Sequence, residues 1–398
     1  MNTNETRFVY ADNAATTKVL PEVLEVMMPM FGEVYGNPSS LYEKGQEALA
    51  VLTDARERIA AVLGCRPGEV FFTSCGSESD NWAIKGAARA CASKGKHLIT
   101  TAIEHHAVMS TMESLEKEGF EVTYLPVDSE GLISLDELEA AIRPDTTVIE
   151  IMYANNEIGV IEPIKEAAEI AHKHGCIFIT DAVQAVGSIP VNVAELGVDM
   201  LALSGHKIHA PKGIGALYIK TGTKCRNFLD GGGQERGRRG GTENVAYAAA
   251  LAKALEIAVA RMPQMDAVKA KRDRLMQGIL DAIPYSRLNG SREKRLPGNV
   301  NISFEFIEGE SLLLWLDRYG ICASTGSACS SKSLEPSHVL LAIGLPHEKA
   351  HGSLRLTLTH ENTDEDVDYI LKVLPEVVQR LRDMSPLYDA VKNGTAKA

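Results

Sequence analysis

The sequence has 398 residues, of which 45% are hydrophobic and 24% are charged, with 33 Gly and 16 Pro. This composition is typical of a soluble globular protein and excludes a disordered or fibrous chain. At roughly 150 residues per domain, the length predicts two or three domains. The 41 basic and 53 acidic side chains give a net charge of −12, which disfavours DNA, RNA and anionic lipid as main partners because they carry charge of the same sign.

The N-terminal stretch MNTNETRFVYADNAATT has no basic segment followed by an apolar core. No later segment reaches the roughly 20 uninterrupted apolar residues that a membrane span needs. We therefore expect a cytoplasmic protein that does not bind a membrane. The seven cysteines contain no C-x-x-C pair, which disfavours a disulfide framework and a zinc ribbon and predicts reduced thiols.

From about residue 53 to residue 220, short apolar runs alternate with helical patterns. Thr53 is suited to cap the first of these helices and Gly64 to end it. Ser134 and Glu137 have the spacing of a capping box at the start of another. The predicted strands are 69–74, 97–101, 121–127, 147–153, 176–180, 199–204 and 215–219. Because most of them are continuously apolar, they indicate a largely parallel sheet covered on both faces, and hence the α/β class.

The pattern changes after a Gly/Arg-rich segment at 231–244. An Ala-rich helix runs to about residue 262. It is followed by predicted strands at 298–304 and 353–358, a helix through Leu312–Leu316 and a last helix capped near Thr363. These elements predict a smaller α+β domain.

Four predicted strands run directly into polar residues. These residues are CGSESDN (75–81), NNEIG (155–159), DAVQ (181–184) and GHK (205–207). One strand-ending Asp or Ser is more often a helix cap than a catalytic group. In open α/β sheets, however, ligands bind at the carboxyl ends of strands, so four such segments in chain order predict a single site.

The residue types in these segments suit a cofactor with a phosphate and a basic ring. Lys207, flanked by Ser, His and Gly residues, is suited to form a Schiff base, since its amine must be partly desolvated to be nucleophilic at neutral pH; the alternative is a surface lysine in a turn. Gly76 and Ser77, at a strand-to-helix junction, can bind a phosphate. Asp181 ends a buried strand and needs a cationic partner, such as a protonated pyridine nitrogen.

Cys329 is the candidate reactive thiol. It lies in the segment 322–337, which is rich in Ser, Ala, Thr and Gly, and which we expect to be a mobile, exposed loop. Four other cysteines lie within or beside apolar patterns and are interpreted as inert: Cys65, Cys91, Cys176 and Cys225.

These segments together resemble the cysteine desulfurases of the NifS/IscS type. The resemblance runs in collinear order from about residue 8 to residue 385 and rests on ADNAATT (11–17), YGNPSS (35–40), TSCGSESDN (73–81), EHHAV (104–108), NNEIGV (155–160), DAVQAVG (181–187), SGHKIHAPKGIGALY (204–218), GGGQERGRRGGT (231–242) and STGSACSSKSLEPSHVL (324–340). The GSAC segment, without the RxGHHC signature of SufS-like enzymes, places the chain in the NifS/IscS branch. HAPKG and AHGSLR are more NifS-like than IscS-like.

The resemblance implies the type I fold of pyridoxal phosphate-dependent transferases, with a mostly parallel mixed sheet in a large domain of residues 15–262. Residues 1–14 and 263–398 would form the small domain, which carries the cysteine loop at about 322–337. It also implies a homodimer with active sites at the subunit interface. The implied reaction converts L-cysteine to L-alanine, and the sulfur passes as a persulfide on Cys329 to an iron–sulfur scaffold or another acceptor protein.

The resemblance assigns the catalytic and ring-binding roles as follows. Lys207 forms the Schiff base with pyridoxal 5'-phosphate, and Cys329 is the sulfur-accepting nucleophile. His105 stacks on the cofactor ring and serves as acid and base at the thiol step. Asp181 pairs with the pyridine nitrogen, and Gln184 reaches the ring hydroxyl.

The remaining assigned residues bind the cofactor phosphate or the substrate carboxylate. The phosphate group is expected to lie among Gly76, Ser77, Ser204, His206 and, from the neighbouring subunit, Thr242. Asn156 is expected at the cofactor and, with Arg355, on the substrate carboxylate, for which a guanidinium fork is well shaped.

Some features depart from this pattern or allow other interpretations. Ser77 stands where IscS has Thr, Cys75 adds a thiol beside the phosphate site, and Cys322 could form a disulfide, relay sulfur or be a buried strand-end thiol. The acidic-aromatic tail with which some IscS-type enzymes dock their scaffold is absent, which leaves the acceptor open.

The alternative functions are a selenocysteine lyase, an aminotransferase or a catalytically idle binding protein of the same ancestry. A zinc site at EHH (104–106) is disfavoured, because adjacent histidines rarely point at one ion, and we expect no metal. The Gly/Arg-rich segment is interpreted as a subunit contact rather than a nucleic-acid patch.

Overall fold

The computed structural model describes residues 7–326 and 336–394. The strands are β1 (Val9–Tyr10), β2 (Val70–Thr73), β3 (His97–Thr101), β4 (Glu121–Leu125), β5 (Thr146–Glu150), β6 (Ile177–Asp181), β7 (Met200–Ser204), β8 (Gly215–Ile219), β9 (Ser286–Leu288), β10 (Asn299–Phe304), β11 (Ile321–Cys322) and β12 (Ser353–Thr357).

The helices are α1 (Pro21–Met27), α2 (Glu43–Leu63), α3 (Gly76–Cys91), α4 (His106–Lys117), α5 (Leu135–Ala141), α6 (Ile164–Lys173), α7 (Val193–Leu196), α8 (Gln234–Gly237), α9 (Val245–Ala260), α10 (Met265–Ala282), α11 (Gly309–Arg318), α12 (His338–Ala342), α13 (His347–Ala350), α14 (Asp364–Arg382) and α15 (Pro386–Lys392). Short 3₁₀ turns lie at Met28–Phe31, Pro67–Glu69, Gly205–Lys207 and Met262–Gln264. Within the two described ranges, no helix is long and apolar enough to cross a membrane.

Seven strands form one sheet in the order β2-β8-β7-β6-β5-β3-β4. The pairs from β7 to β4 are parallel, whereas β8 runs antiparallel to both β7 and β2. The sheet is therefore mixed but mostly parallel, which confirms the predicted α/β class. Because all strands except β8 run in one direction, their carboxyl ends lie along one edge of the sheet.

Helices cover both faces of this sheet, as the continuous apolar strands predict. Phe71 packs in one core with Trp82 of α3, and the next residue, Phe72, packs in the other core with α2 and α9. Leu98 and Ile99 divide between the two cores in the same way. Successive side chains of a strand point to opposite faces, so both faces must be apolar.

The C-terminal part has its own sheet and core. Strands β12, β10 and β9 form an antiparallel sheet, and β1 pairs in parallel with β11. Its buried cluster contains residues of α10, α11 and α14 together with Val9 and Ala11 from the N-terminal segment. The predicted domain boundaries at 14/15 and 262/263 stay a prediction.

The predicted helix ends at Gly64 and Thr363 are confirmed, whereas the one at Thr53 is wrong. Gly64 ends α2 in the left-handed conformation (φ 73°), and Thr363 caps α14 in a capping box with Asp366. The prediction for Thr53 was wrong: α2 begins ten residues earlier, and the Thr53 hydroxyl donates to the carbonyl of Leu49, one turn before it. A Thr inside a helix can satisfy its hydroxyl in this way, so its presence does not fix a helix start.

Candidate functional site

A cavity of about 190 Å³ lies at the carboxyl ends of β2, β6 and β7. Ten of the residues predicted for the site line it: Gly76, Ser77, His105, Asn156, Asp181, Gln184, Ser204, His206, Lys207 and Arg355. The other lining residues are Ala14, Ala15, Cys75, Asp80, Met152 and Val183. The structure thus brings together predicted site residues that are up to 279 positions apart in the chain, counted from Gly76 to Arg355.

Lys207 is held by the N-terminal segment. It lies on the 3₁₀ turn that follows β7, and its Nζ donates to the carbonyl oxygens of Ala14 (2.6 Å) and Ala15 (2.8 Å). Gln184 Nε2 also donates to Ala14, at 3.1 Å. The Lys207 amine is therefore held at the cavity wall by these two main-chain carbonyl oxygens.

One end of the cavity is built to hold an anion. Helix α3 begins there at Gly76, so its first N–H groups and its dipole face the cavity. A Cβ on Gly76 would lie 2.8 Å from Val183 Cγ2 and 3.4 Å from Ser204 Cβ, which leaves no room for a side chain. The Ser204 hydroxyl is buried there without a hydrogen-bond partner. A donor without an acceptor in this position fits a bound phosphate oxygen.

The Gly/Arg-rich segment supports this end of the cavity. Arg239 forms an ion pair with Glu78 in the first turn of α3, with a distance of 2.7 Å between Nε and Oε1. Arg236 and Arg238 donate to carbonyls of Val70 and Cys225. These three arginines therefore bind groups of their own chain.

Asp181 lines the same cavity at the point where β6 ends. Burial raises its pKa to about 6, although the Val183 N–H, 2.8 Å from Oδ1, and the positive charge of Lys207 oppose this shift. The carboxylate therefore needs a further cationic partner to be fully ionised below neutral pH. A protonated ring nitrogen would provide one.

Three buried acids around Asp181 were not predicted as part of the site. Burial and neighbouring carboxylates raise the pKa of Asp80 and Glu150 well above their ordinary values, and burial raises that of Glu104 to about 8. Glu104 Oε1 accepts from Thr101 Oγ1 and Met152 N, whereas Oε2 has no partner. These shifts favour the neutral form of the three acids, whereas a pKa of about 6 leaves Asp181 largely ionised at pH 7. Glu104 lies in EHHAV and Asp80 in SESDN, but nothing in those patterns indicates burial.

The two predicted histidines of the cavity are neutral at pH 7. Burial and the positive charge of Lys207 lower the pKa of His105 and of His206 to about 4. His105 Nδ1 accepts from Ala107 N at 3.1 Å and caps α4, which leaves Nε2 as the protonated nitrogen. His206 Nδ1 lies 3.1 Å from Thr16 Oγ1.

Arg355 is the cationic group on the side of β12. Its side chain is 1% exposed, its Nη1 donates to the carbonyl of Asn156 at 3.0 Å, and its Nη2 forms an ion pair with Asp12 at 2.9 Å. Its Nε is buried without a partner. A guanidinium with an unsatisfied buried N–H fits an incoming carboxylate.

The two remaining predicted site residues are Thr242 and Cys329. Thr242 is exposed and does not line it; its predicted position in a neighbouring subunit is not tested by a single chain. Cys329 lies outside the described residues. No cluster of three or more His, Cys, Asp or Glu that could hold a metal ion occurs in residues 7–326 and 336–394.

Comparisons with known proteins agree on one family. The family model for class-V aminotransferases matches residues 9–370. The cysteine desulfurase IscS of Clostridium botulinum is 54% identical over 393 residues, which cover 98% of this chain and 99% of the relative. Among solved structures, a NifS-like protein superposes with a TM-score of 0.89 at 41% identity, covering 94% of this chain and all of that one. A structure of SspA in complex with cysteine superposes with a TM-score of 0.78 at 38% identity, covering 88% and 98%. The chain therefore belongs to the class-V aminotransferase family and, within it, to the cysteine desulfurases of the NifS/IscS type.

Proposed function

We propose that this enzyme uses pyridoxal 5'-phosphate to remove sulfur from L-cysteine, and that it forms L-alanine and a persulfide on Cys329. The observation that carries the proposal is that one cavity is lined by a lysine, an anion site, a buried aspartate and a buried arginine. The relatives' names and the cysteine complex of SspA support the substrate.

The residues of the cavity fit the cofactor. Its phosphate would lie against Gly76, Ser77, Ser204 and His206, where the Ser204 hydroxyl lacks an acceptor. Its ring nitrogen would face Asp181, its ring hydroxyl Gln184 and its ring plane His105, with Asn156 beside it. When bound, it supplies an aldehyde that condenses with amines and a pyridinium ring that accepts electrons from a broken C–H bond.

Each residue has a defined task in this reaction. Lys207 would hold the cofactor, and its amine would take the proton from the substrate Cα. The negative charge of Asp181 would keep the ring nitrogen of the cofactor protonated. His105 is neutral at pH 7 because its pKa is about 4, and its Nε2–H would donate to the substrate thiol. Arg355 and Asn156 hold the substrate carboxylate.

In the sulfur step, one sulfur atom passes from the substrate thiol to the thiol of Cys329. The Cys329 thiolate attacks the substrate sulfur, the substrate C–S bond breaks, and the Cβ that releases the sulfur takes up a proton. The products are L-alanine and a Cys329 persulfide, with no external oxidant or reductant.

Described residues on both sides of Cys329 lie near the cavity. Ser337 Oγ donates to Glu157 Oε2 at 2.5 Å, and a Cβ on Gly326 would lie 2.9 Å from the same oxygen. His338 Nε2 lies 2.9 Å from the carbonyl of Glu104, the residue before His105. These contacts support Cys329 as the nucleophile.

Two variants and a control test the proposal. Cys329→Ala should keep the visible absorbance of the cofactor and its change on addition of L-cysteine, but should produce no sulfide. Lys207→Ala should lose all turnover. Cys322→Ala is the matched control and should keep full activity; its loss of activity would instead indicate a relay through Cys322. Full sulfide production by Cys329→Ala would refute the transfer, and an oxo acid in place of L-alanine would indicate an aminotransferase.

We propose that the persulfide sulfur passes to an iron–sulfur scaffold or another sulfur-acceptor protein in the cytoplasm. The name IscS of the relatives supports an iron–sulfur role. The cysteines of the described residues are free thiols, which fits a reducing compartment. Transfer of ³⁵S from the labelled enzyme to a purified scaffold, compared with transfer to a tRNA-thiolating protein, would distinguish the acceptors.

We also propose a homodimer and the two-domain division at residues 14/15 and 262/263. Several large apolar side chains between α1 and the start of α2 are exposed: Met28, Phe31, Tyr35, Leu41 and Tyr42. Clustered apolar exposure of this kind is typical of a protein interface. The separate buried cluster around α10, α11 and α14 supports the domain division.

A further inference from the structure

Asp12 is joined to the substrate side of the cavity by two hydrogen bonds. Its Oδ1 accepts from Arg355 Nη2 at 2.9 Å, and its Oδ2 accepts from Ser324 Oγ at 2.8 Å. Both oxygens are thus used, one by the cation and one by a neutral hydroxyl. The side chain of Asp12 is 15% exposed and that of Arg355 is 1% exposed.

The backbone around this group is fixed. Ser324 and Arg355 exchange main-chain hydrogen bonds, with N···O distances of 3.2 and 2.6 Å. Thr357, two residues beyond Arg355 on β12, donates its N–H to the carbonyl of Ala11 at 2.7 Å. Asp12, Ser324 and Arg355 therefore belong to three adjacent extended segments, and none can shift without breaking main-chain hydrogen bonds.

The contacts of Arg355 leave a defined set of donors for a ligand. A guanidinium has five N–H donors; here one is used by Asp12 and one by the carbonyl of Asn156. The buried Nε–H has no partner. Asp12 on Nη2 and the carbonyl of Asn156 on Nη1 together limit how the guanidinium plane can turn. The donors that remain can still bind a carboxylate.

We infer that Asp12 is a positioning residue, which sets the orientation of Arg355 toward the carboxylate of the amino-acid substrate. The inference rests on the proposed function, in which Arg355 binds that carboxylate. Asp12 also compensates the charge of the buried guanidinium before substrate arrives, because an unpaired buried cation is strongly destabilising. It acts through Arg355 and does not touch the substrate.

Ligands with and without a carboxylate separate this role from a general structural one. L-cysteine has the carboxylate, whereas cysteamine has the same amine and thiol but lacks it. In the holoenzyme with Cys329→Ala, which cannot transfer sulfur, each ligand is titrated by the change in the visible absorbance of the cofactor. Adding Asp12→Ala should raise the Kd for L-cysteine at least about tenfold, as expected for loss of a hydrogen bond to a charged group, and should change the Kd for cysteamine less than about twofold.

Asp12→Asn is the conservative variant. Its amide can accept from Arg355 and donate to Ser324 Oγ, so it should bind L-cysteine within about threefold of the parent. With Cys329 intact, Asp12→Ala should raise KM for L-cysteine while kcat changes less than about threefold, which is the signature of a lost binding contact. An equal loss for both ligands, or an unchanged Kd for L-cysteine, would overturn the inference.

The Arg355→Gln variant distinguishes a failure of the proposed carboxylate site from a failure of the role inferred for Asp12. If Arg355→Gln still binds L-cysteine in preference to cysteamine, the proposed carboxylate site itself is wrong. If Arg355→Gln loses the preference and Asp12→Ala keeps it, the carboxylate site stands and the role of Asp12 is wrong. Should Asp12→Ala not fold, Ser324→Ala replaces it, with an expected loss of about threefold for L-cysteine, and an unchanged Kd would again overturn the inference.

Discussion

The buried acid Glu162 should make the stability of the protein fall as the pH rises. Glu162 is 2% exposed; its Oε2 accepts from Ile133 N at 3.2 Å, and its Oε1 is buried without a partner. Burial raises the pKa of this carboxyl from 4.5 to about 8. Between those two values the folded protein holds a proton that the unfolded chain has released, so the folded state loses stability as the pH rises.

The size of the effect follows from the two pKa values. From pH 4.5 to pH 7, the difference in protonation of this one group lowers the free energy of unfolding by about 3 kcal/mol, at about 1.36 kcal/mol for each pH unit. Glu162→Gln cannot ionise and removes this cost. Its amide leaves one buried N–H₂ group without a partner, which costs about 1–3 kcal/mol at every pH. The variant should therefore be less stable than the wild type at pH 4.5 and gain about 3 kcal/mol relative to it by pH 7.

Urea denaturation at several pH values, followed by tryptophan fluorescence at one fixed protein concentration, measures this difference. Glu166→Gln, an exposed position on α6, controls for the removal of one negative charge. A difference between Glu162→Gln and wild type that stays constant within about 0.5 kcal/mol from pH 4.5 to pH 7 would refute the reasoning, because it would mean that Glu162 is ionised in the folded protein.

Two further predictions concern the cofactor site and the subunit interface. Gly76→Ala places a Cβ 2.8 Å from Val183 Cγ2, so it should weaken cofactor binding at least about tenfold in a fluorescence titration. Gly68→Ala, where nothing lies within 4 Å of the new Cβ, should bind normally, and equal affinities for the two variants would contradict the close approach at Gly76. Leu41→Asp, at a side chain that is 94% exposed, should shift the protein toward the monomer in sedimentation velocity. A dimer of unchanged affinity would place the interface elsewhere.

The strand ends were predictable because their signals are local. Asp181 and Ser204 each end a continuously apolar run, and they lie at the last positions of β6 and β7. Gly76 starts α3 where the sequence changes from an apolar strand to a polar helix. Parallel strands must present their carboxyl ends at one edge, so the sequence was sufficient to bring these residues to the same cavity.

Burial of acids was not predictable in the same way. Glu150 is the last residue of β5, and Asp80 lies in the first half of α3, where the same residue types are usually solvated. Whether such an acid is buried depends on how the helix packs on the sheet, since α3 faces β5, β6 and β7. Helix packing of this kind leaves no periodic signal at a single acidic position. A helix start is equally hard to predict from one residue, since Thr53 lies inside α2 rather than at its start.

The position of Lys207 relative to Arg355 depends on a segment that belongs to neither of their strands. Ala14 and Ala15 accept from the Lys207 amine, and Asp12, two residues earlier, pairs with Arg355. Segment 11–15 thus contacts both the group proposed to bind the substrate amine through the cofactor and the group proposed to bind its carboxylate. Residues 12–15 form a turn in which Ala15 N donates to the carbonyl of Asp12 at 3.0 Å. This closed turn sets the spacing between the two groups. The sequence could name the lysine and the arginine. Their separation, however, arises from hydrogen bonds between segments more than 190 residues apart, which no local pattern encodes.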